Sequence, residues 1–230
     1  MSEKPILFSG EMVRAILAGR KTQTRRIGKL QSPEYAELAV EYSRHATKGR
    51  EAVATYAAFP GKGTARWGIC ACPYGVPGDR LWVKETLKRS DDGLWGQYAA
   101  DGEWVISRPP FAPLRQCWHS RTDKSLSKSN RASVPSIHMP RRASRITLEI
   151  ETIRAERLQD ISEKDAAAEG VEASKTVEMK DGSPCYTLPY QTLWNQINGC
   201  DSWDANPWVW VVTFKQVFND RVKEHLRPET

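Results

Sequence analysis

Apolar positions along this chain fall mostly into short alternating runs and only rarely into helical stripes. Residues 79–86 (DRLWVKET) set Leu81 and Val83 on one side and Trp82 on the other, the period-two mark of a half-buried strand. Residues 144–153 repeat the pattern more cleanly with Ile146, Leu148 and Ile150. Residues 207–217 (PWVWVVTFKQV) form a long final strand, with Pro207 at its first position, where a missing N–H suits the ladder. Residues 4–8 are a shorter run of the same type. The runs 94–99 and 103–107, parted by Asp101-Gly102, predict a hairpin.

Helical spacing is confined to fewer places. Ser9 is placed to cap a helix whose apolar face is Met12, Val13, Ile16 and Leu17, with Gly19 ending it. Ser162 followed by Asp165 opens a short helix that stops at Gly170, and Leu193, Trp194 and Ile197 share a face of another, ended by Gly199. Weaker periodicity predicts a helix over 33–43. Residues 60–63 and 73–78 read as turns, and the Pro-, Ser- and Arg-rich stretch 107–135 as a mobile basic loop. Strands follow one another mostly without helical crossovers. The expected class is therefore α+β, a small mixed or antiparallel β-barrel with peripheral helices and basic loop insertions.

Length and composition narrow this further. A chain of 230 residues with 40% hydrophobic and 27% charged residues can bury a core and is not disordered throughout. Mean hydropathy is −0.59, and no apolar run approaches a bilayer span. The start, MSEKPILFSGEM, lacks the apolar core of a signal peptide, so no membrane partner and a cytoplasmic location are expected. Five cysteines, an odd count, fit a reducing compartment better than a disulfide scaffold. Cys70-x-Cys72 and Cys117-x-His119 would make a Cys₃His zinc set, although one-residue spacing is tighter than such sites use, so no cofactor is expected. Gly61-Lys62-Gly63-Thr64 lacks the order of a phosphate-binding P-loop.

Charge is unevenly spread. Residues 1–66 hold twelve Lys/Arg and six acids, and 108–145 hold nine Lys/Arg and one acid, whereas 149–182 hold five Lys/Arg against ten acids. Two basic segments suit a polyanion such as RNA or DNA, and a solvated surface accounts for them equally well. Within Gly19-Arg20-Lys21-Thr22-Gln23-Thr24-Arg25-Arg26, an extended chain sends Arg20, Thr22, Thr24 and Arg26 one way and Lys21 and Arg25 the other. A turn after the helix would bring Lys21 and Thr24 together as base and nucleophile; otherwise the segment is a basic strand on a nucleic-acid backbone. His138, Arg141 and Arg145, at the entrance to the 144–153 strand, suit phosphate or nucleobase contacts, with His138 also able to act as an acid or base in metal-independent RNA cleavage. Trp82, Trp208 and Trp210 read as core or as stacking surfaces.

These motifs carry a resemblance. ILAGRKTQTRR at 16–26, PGDRLWV at 77–83, SEKDAAAEG at 162–170 and PWVWVVTFKQV at 207–217 resemble, in order, the motifs of the ASCH domain, a PUA-like β-barrel family associated with RNA and modified nucleosides. The wider pattern, with CPYGVPGDRLWVKET and PSIHMPRRASRITLEIE, is similar to ASCH-related proteins of phages and prophages, which implies a bacterial host cytoplasm. The likeness implies one domain over 1–218, with insertions at about 28–71 and 88–134 and a charged tail at 219–230. Small bacterial members of the family include acetylcytidine amidohydrolases. Their lysine base falls on Lys21, their threonine nucleophile on Thr24 and their glutamate acid on Glu169, with Arg20, Arg26, Trp82, His138, Arg141 and Arg145 as expected contacts to RNA or nucleoside. Gln23 and Arg25 stand where those enzymes carry apolar residues, and the chain is about twice their length. Other members resemble RNA-binding modules or ribonucleases, so binding alone and cleavage stay open beside hydrolysis.

Overall fold

The computed structural model describes residues 2–28, 39–47, 50–59, 68–89, 96–103 and 133–217, with backbone alone over 39–47, 50–59 and 68–71 and at 89, 96 and 142. In chain order its elements are β1 (Glu3–Leu7), α1 (Gly10–Leu17), β2 (Gln23–Ile27), β3 (Ala39–Thr47), β4 (Arg50–Phe59), β5 (Gly68–Ala71), β6 (Arg80–Lys84) and β7 (Leu87–Arg89). Then come β8 (Gly96–Tyr98), β9 (Ser133–Val134), β10 (Thr147–Arg157), α2 (Glu163–Ala168), α3 (Thr187–Asn198) and β11 (Trp208–Val217). This is a mixed α+β chain of several sheets and few helices. Its described residues fall into two units, one drawn from 2, 18–80 and 149–216, the other from 3–17, 81–148 and 217.

In the first unit β10, β11 and β2 lie side by side, and β11 pairs antiparallel with β2 so that Val211 faces Arg25 and Val212 faces Thr24. The core of this unit gathers Leu158, Ile161, Ala166, Tyr190, Trp194, Trp203, Val209 and Val211, with the Tyr190 ring centroid 6.2 Å from those of Trp194 and Trp203. Both helices end as their caps dictate. Ser162 Oγ accepts from Asp165 N at 3.1 Å at the start of α2, and Gly170 leaves its end at φ 87, a conformation only glycine takes freely. The start of α3 is capped from a distance, because the Glu163 carboxylate accepts from Tyr186 N, from Thr187 N at 3.1 Å and from Thr187 Oγ1 at 2.6 Å. Burial alone would raise the Glu163 carboxyl; these hydrogen bonds outweigh it and hold the group below its usual range. α3 buries Tyr190 and Trp194, while Ile197, expected on the packed face, is 52% exposed, because the apolar stripe runs one turn earlier.

A separate sheet joins β3, β4 and β5, with β3 paired to β4 over nine positions from Ala39↔Ala58 to Thr47↔Arg50. This overturns the helix expected at 33–43 for its described part: 39–43 is strand. Alternating Val40 and Tyr42 with a long facing strand outweighs weak helical spacing. Positions 33–38 lie outside the described residues, as do the turn at 60–63, residues 107–132 of the basic loop and the tail 219–230.

In the second unit β1 lies beside β6, and β6 beside the start of β10. Leu81 and Val83 are buried while Trp82 is half-buried, as alternation predicts. In α1, Val13, Ala15 and Ile16 are buried, but Leu17 is 41% exposed, since the last turn leaves the packed face. β7 pairs with both β8 and β9 around Leu87, Tyr98, Met139 and Ala143. Of the expected hairpin, the first strand and the turn lie within the described residues. β8 takes β7 as its ladder partner, and the Asp101-Gly102 turn is closed by Tyr98 N donating to Glu103 O at 2.8 Å. Residues 104–107 lie outside the description. No helix among the described residues is long and apolar enough to cross a membrane.

Candidate functional site

The segment after α1 turns at Gly19, φ 71, and is then clamped on both sides: Thr22 N donates to Ala168 O at 2.9 Å, and Phe214 N donates to Thr22 O at 2.8 Å. These two bonds carry Lys21 to the C-terminal end of α2, where Glu169 is the last residue of the helical turn. Lys21 Nζ donates to Glu169 Oε2 at 2.7 Å and to Glu169 O at 2.9 Å, with side-chain exposures of 0% and 3%. A cation against the last carbonyls of a helix is favourably placed. Burial pushes the Lys21 ammonium below its ordinary range; Glu169 opposes this by charge and hydrogen bond, while Arg26 and Arg25 add to it. A buried pair whose lysine is eased toward its neutral form can take a proton from one group and return it to another.

Arg25, two positions into the same strand face from Gln23, is also fully enclosed. Its Nη2 lies 3.2 Å from both Glu156 Oε2 on β10 and Asp165 Oδ2 on α2, and its Nη1 lies 3.8 Å from Glu169 Oε1. Arg154 joins from β10, at 2.6 Å to Glu156 and 3.4 Å to Asp165. The Gln23 amide is best oriented with its nitrogen on Asp165 Oδ1 and its oxygen on Arg25 Nη1. Three cations, Lys21, Arg25 and Arg154, thus meet three carboxylates, Glu156, Asp165 and Glu169. Thr24 is 2% exposed, and strand alternation sets it on the face opposite Gln23 and Arg25. Tyr74 and Tyr190 lie within the electrostatic reach of Arg26, and burial raises both phenols above their ordinary value.

The remaining expected contacts are distributed otherwise. Arg20 is half exposed, 3.8 Å from Glu172, and Arg26 is half-buried. Trp82, His138, Arg141 and Arg145 all belong to the second unit. There the Trp82 ring carries Lys84 Nζ at 5.5 Å and the Arg141 guanidinium at 5.8 Å. Arg141 is bonded to Glu3 at 3.0 and 3.1 Å, and His138 is exposed on a single-turn helix, Ser136–His138. Arg145 stacks 3.9 Å from the Tyr98 ring centroid and is held by Glu85 at 2.9 and 3.0 Å and Asp101 at 2.7 Å. Burial raises the Glu85 carboxyl even against Arg145. These bonds make Arg145 a structural cation of its own unit.

Sequence reasoning passed over Arg25, Asp165 and Glu156. Two signals were available: Arg25 shares its strand side with Lys21, and Asp165 and Glu169, four apart, share one helix face. Of the zinc set, Cys72 is buried, the Cys70 side chain and residues 117 and 119 are outside the description, and among the described residues no group of three His, Cys, Asp or Glu side chains is arranged to hold a metal ion. No protein-family model, no curated protein and no solved structure matches this chain.

Proposed function

We propose that this chain is an ASCH-like protein built on a PUA-type barrel, that its ligand is RNA or a modified nucleoside, and that it hydrolyses an N-acyl group from a cytosine-type base. One observation carries the reading: a lysine and a glutamate, each almost wholly buried, share a 2.7 Å contact, and the lysine is depressed toward its neutral form. The reaction has Lys21 take the Thr24 hydroxyl proton and Thr24 Oγ1 attack the acyl carbon; it requires the Thr24 hydroxyl to come within hydrogen-bond reach of Lys21 Nζ, a contact beyond the two bonds from Lys21 to Glu169 described above. The carbon–nitrogen bond then breaks, and Glu169, bonded to Lys21, relays that proton to the departing amine. Water afterwards cleaves the acyl-threonine ester. Charge balance favours a small neutral ligand over a long polyanion, because among the described residues the buried Lys21 and Arg25 already face the carboxylates of Glu169, Glu156 and Asp165.

The test is release of cytidine from acetylcytidine by the wild type and by Thr24→Ala, followed by chromatography. Turnover in the wild type, lowered at least about a thousandfold in Thr24→Ala, is the expected result. A folded wild type that releases no cytidine from any acylated cytosine overturns the reading. Trp82 with its two neighbouring cations favours a second reading, a binding module for single-stranded RNA. Binding that weakens steeply with salt, without turnover, would select it.

A further inference from the structure

Glu169 is held by two cations in different ways. Lys21 takes Oε2 through a hydrogen bond, whereas Arg25 approaches Oε1 only to 3.8 Å, and that oxygen, although buried, has no hydrogen-bond partner among the described residues. Arg25 is itself fixed independently of Glu169: its side chain is 0% exposed and Nη2 is shared by Glu156 from β10 and Asp165 from α2. A fixed cation at this distance orients a carboxylate by charge without consuming its lone pairs. In a buried site, hydrogen-bond capacity left unused is costly unless something occupies it in the working state.

We infer that Arg25 is a positioning residue of this site: it holds the Oε1 side of Glu169 by charge, so that Oε2 stays on Lys21 and Oε1 keeps an open acceptor position for the substrate's amide nitrogen. The inference rests on the hydrolase reading of the Lys21–Glu169 pair and adds to it a residue and a specificity. The group recognised at Oε1 is an N–H donor, so a secondary amide is a substrate and an ester at the same place is not. Among the described residues, Arg25 and Arg26 from β2 and Tyr190 from α3 are charged or titratable groups that act on the pair.

The test follows Lys21 directly, by NMR titration of protein labelled at lysine Cε, in the wild type, Arg25→Met and Arg25→Lys. Loss of the Arg25 charge moves the Lys21 midpoint upward in Arg25→Met, and Arg25→Lys returns it toward the wild-type position. A Lys21 midpoint unchanged in folded Arg25→Met overturns the inference. If Arg25→Met does not fold, Arg25→Met/Glu156→Gln, which also removes one of the carboxylates left behind, gives the same reading. With substrate, Arg25→Met lowers kcat for acetylcytidine by about tenfold or more and leaves KM within about twofold; a loss in KM alone counts against positioning. The titration needs no substrate. Absence of turnover by the wild type therefore overturns the hydrolase reading, while an unmoved Lys21 midpoint overturns the role of Arg25.

Discussion

Glu169→Gln keeps the shape of the side chain and removes the charge that Lys21 meets at 2.7 Å. Breaking a buried ion pair by removing one partner costs about 3–5 kcal/mol, because the other charge is left enclosed and uncompensated. Two features place this case toward the lower end. Lys21 Nζ keeps its bond to the main-chain O of residue 169 at 2.9 Å, and a glutamine oxygen can still accept from it. Arg25 keeps Glu156 and Asp165. The expected loss is about 3 kcal/mol near neutral pH. It shrinks with rising pH, since a lysine depressed below its ordinary 10.5 sheds its proton early and then has no charge to strand. Urea denaturation followed by circular dichroism, at about pH 7 and about pH 9.5, measures both numbers. Lys21→Met/Glu169→Gln should be more stable than Glu169→Gln alone, as two neutral groups replace the pair. A loss under about 1 kcal/mol near neutral pH, or one that grows as pH rises, refutes the account of the site as a buried, charge-compensated pair.

Two further outcomes follow from the same geometry. The rate of acetylcytidine hydrolysis should rise with pH toward a midpoint below 10.5, because the base is the neutral amine and burial depresses it; a rate that falls across this window is inconsistent with Lys21 as base. Gly75→Ala should destabilise by about 1–3 kcal/mol in thermal or urea unfolding, since φ is 122 and a Cβ would stand 2.7 Å from Asp79 Oδ2; unchanged stability would mean that this turn is not needed in that form.

Local pattern carried most of the fold that positions the site. Alternation marked β6, β10 and β11, and Ser162 with Asp165 marked α2, since these signals are spent within a few residues of where they arise. Residues 39–43 misled because a facing strand decides their state and weak periodicity does not. Charge misled for a related reason. The basic total of segment 1–66 suits a polyanion or a solvated surface, yet Lys21 and Arg25 from it close onto Glu156, Asp165 and Glu169 of the acidic segment 149–182, across separations of 131 to 148 residues. Segment totals cannot distinguish cations aimed at a partner molecule from cations that find their anions within the chain. Arg145 with Glu85 and Asp101 repeats the lesson in the other unit.

Glu163 stands in the first turn of α2, yet it accepts from the first turn of α3, 23 and 24 residues later. The connection leaving Glu169 therefore begins and ends at points fixed by a bond outside it. Closing a tethered loop depends only logarithmically on its length, so doubling this one would cost about 0.6 kcal/mol. Residues around Asp181-Gly182 can accordingly be extended or exchanged with little penalty to the helices.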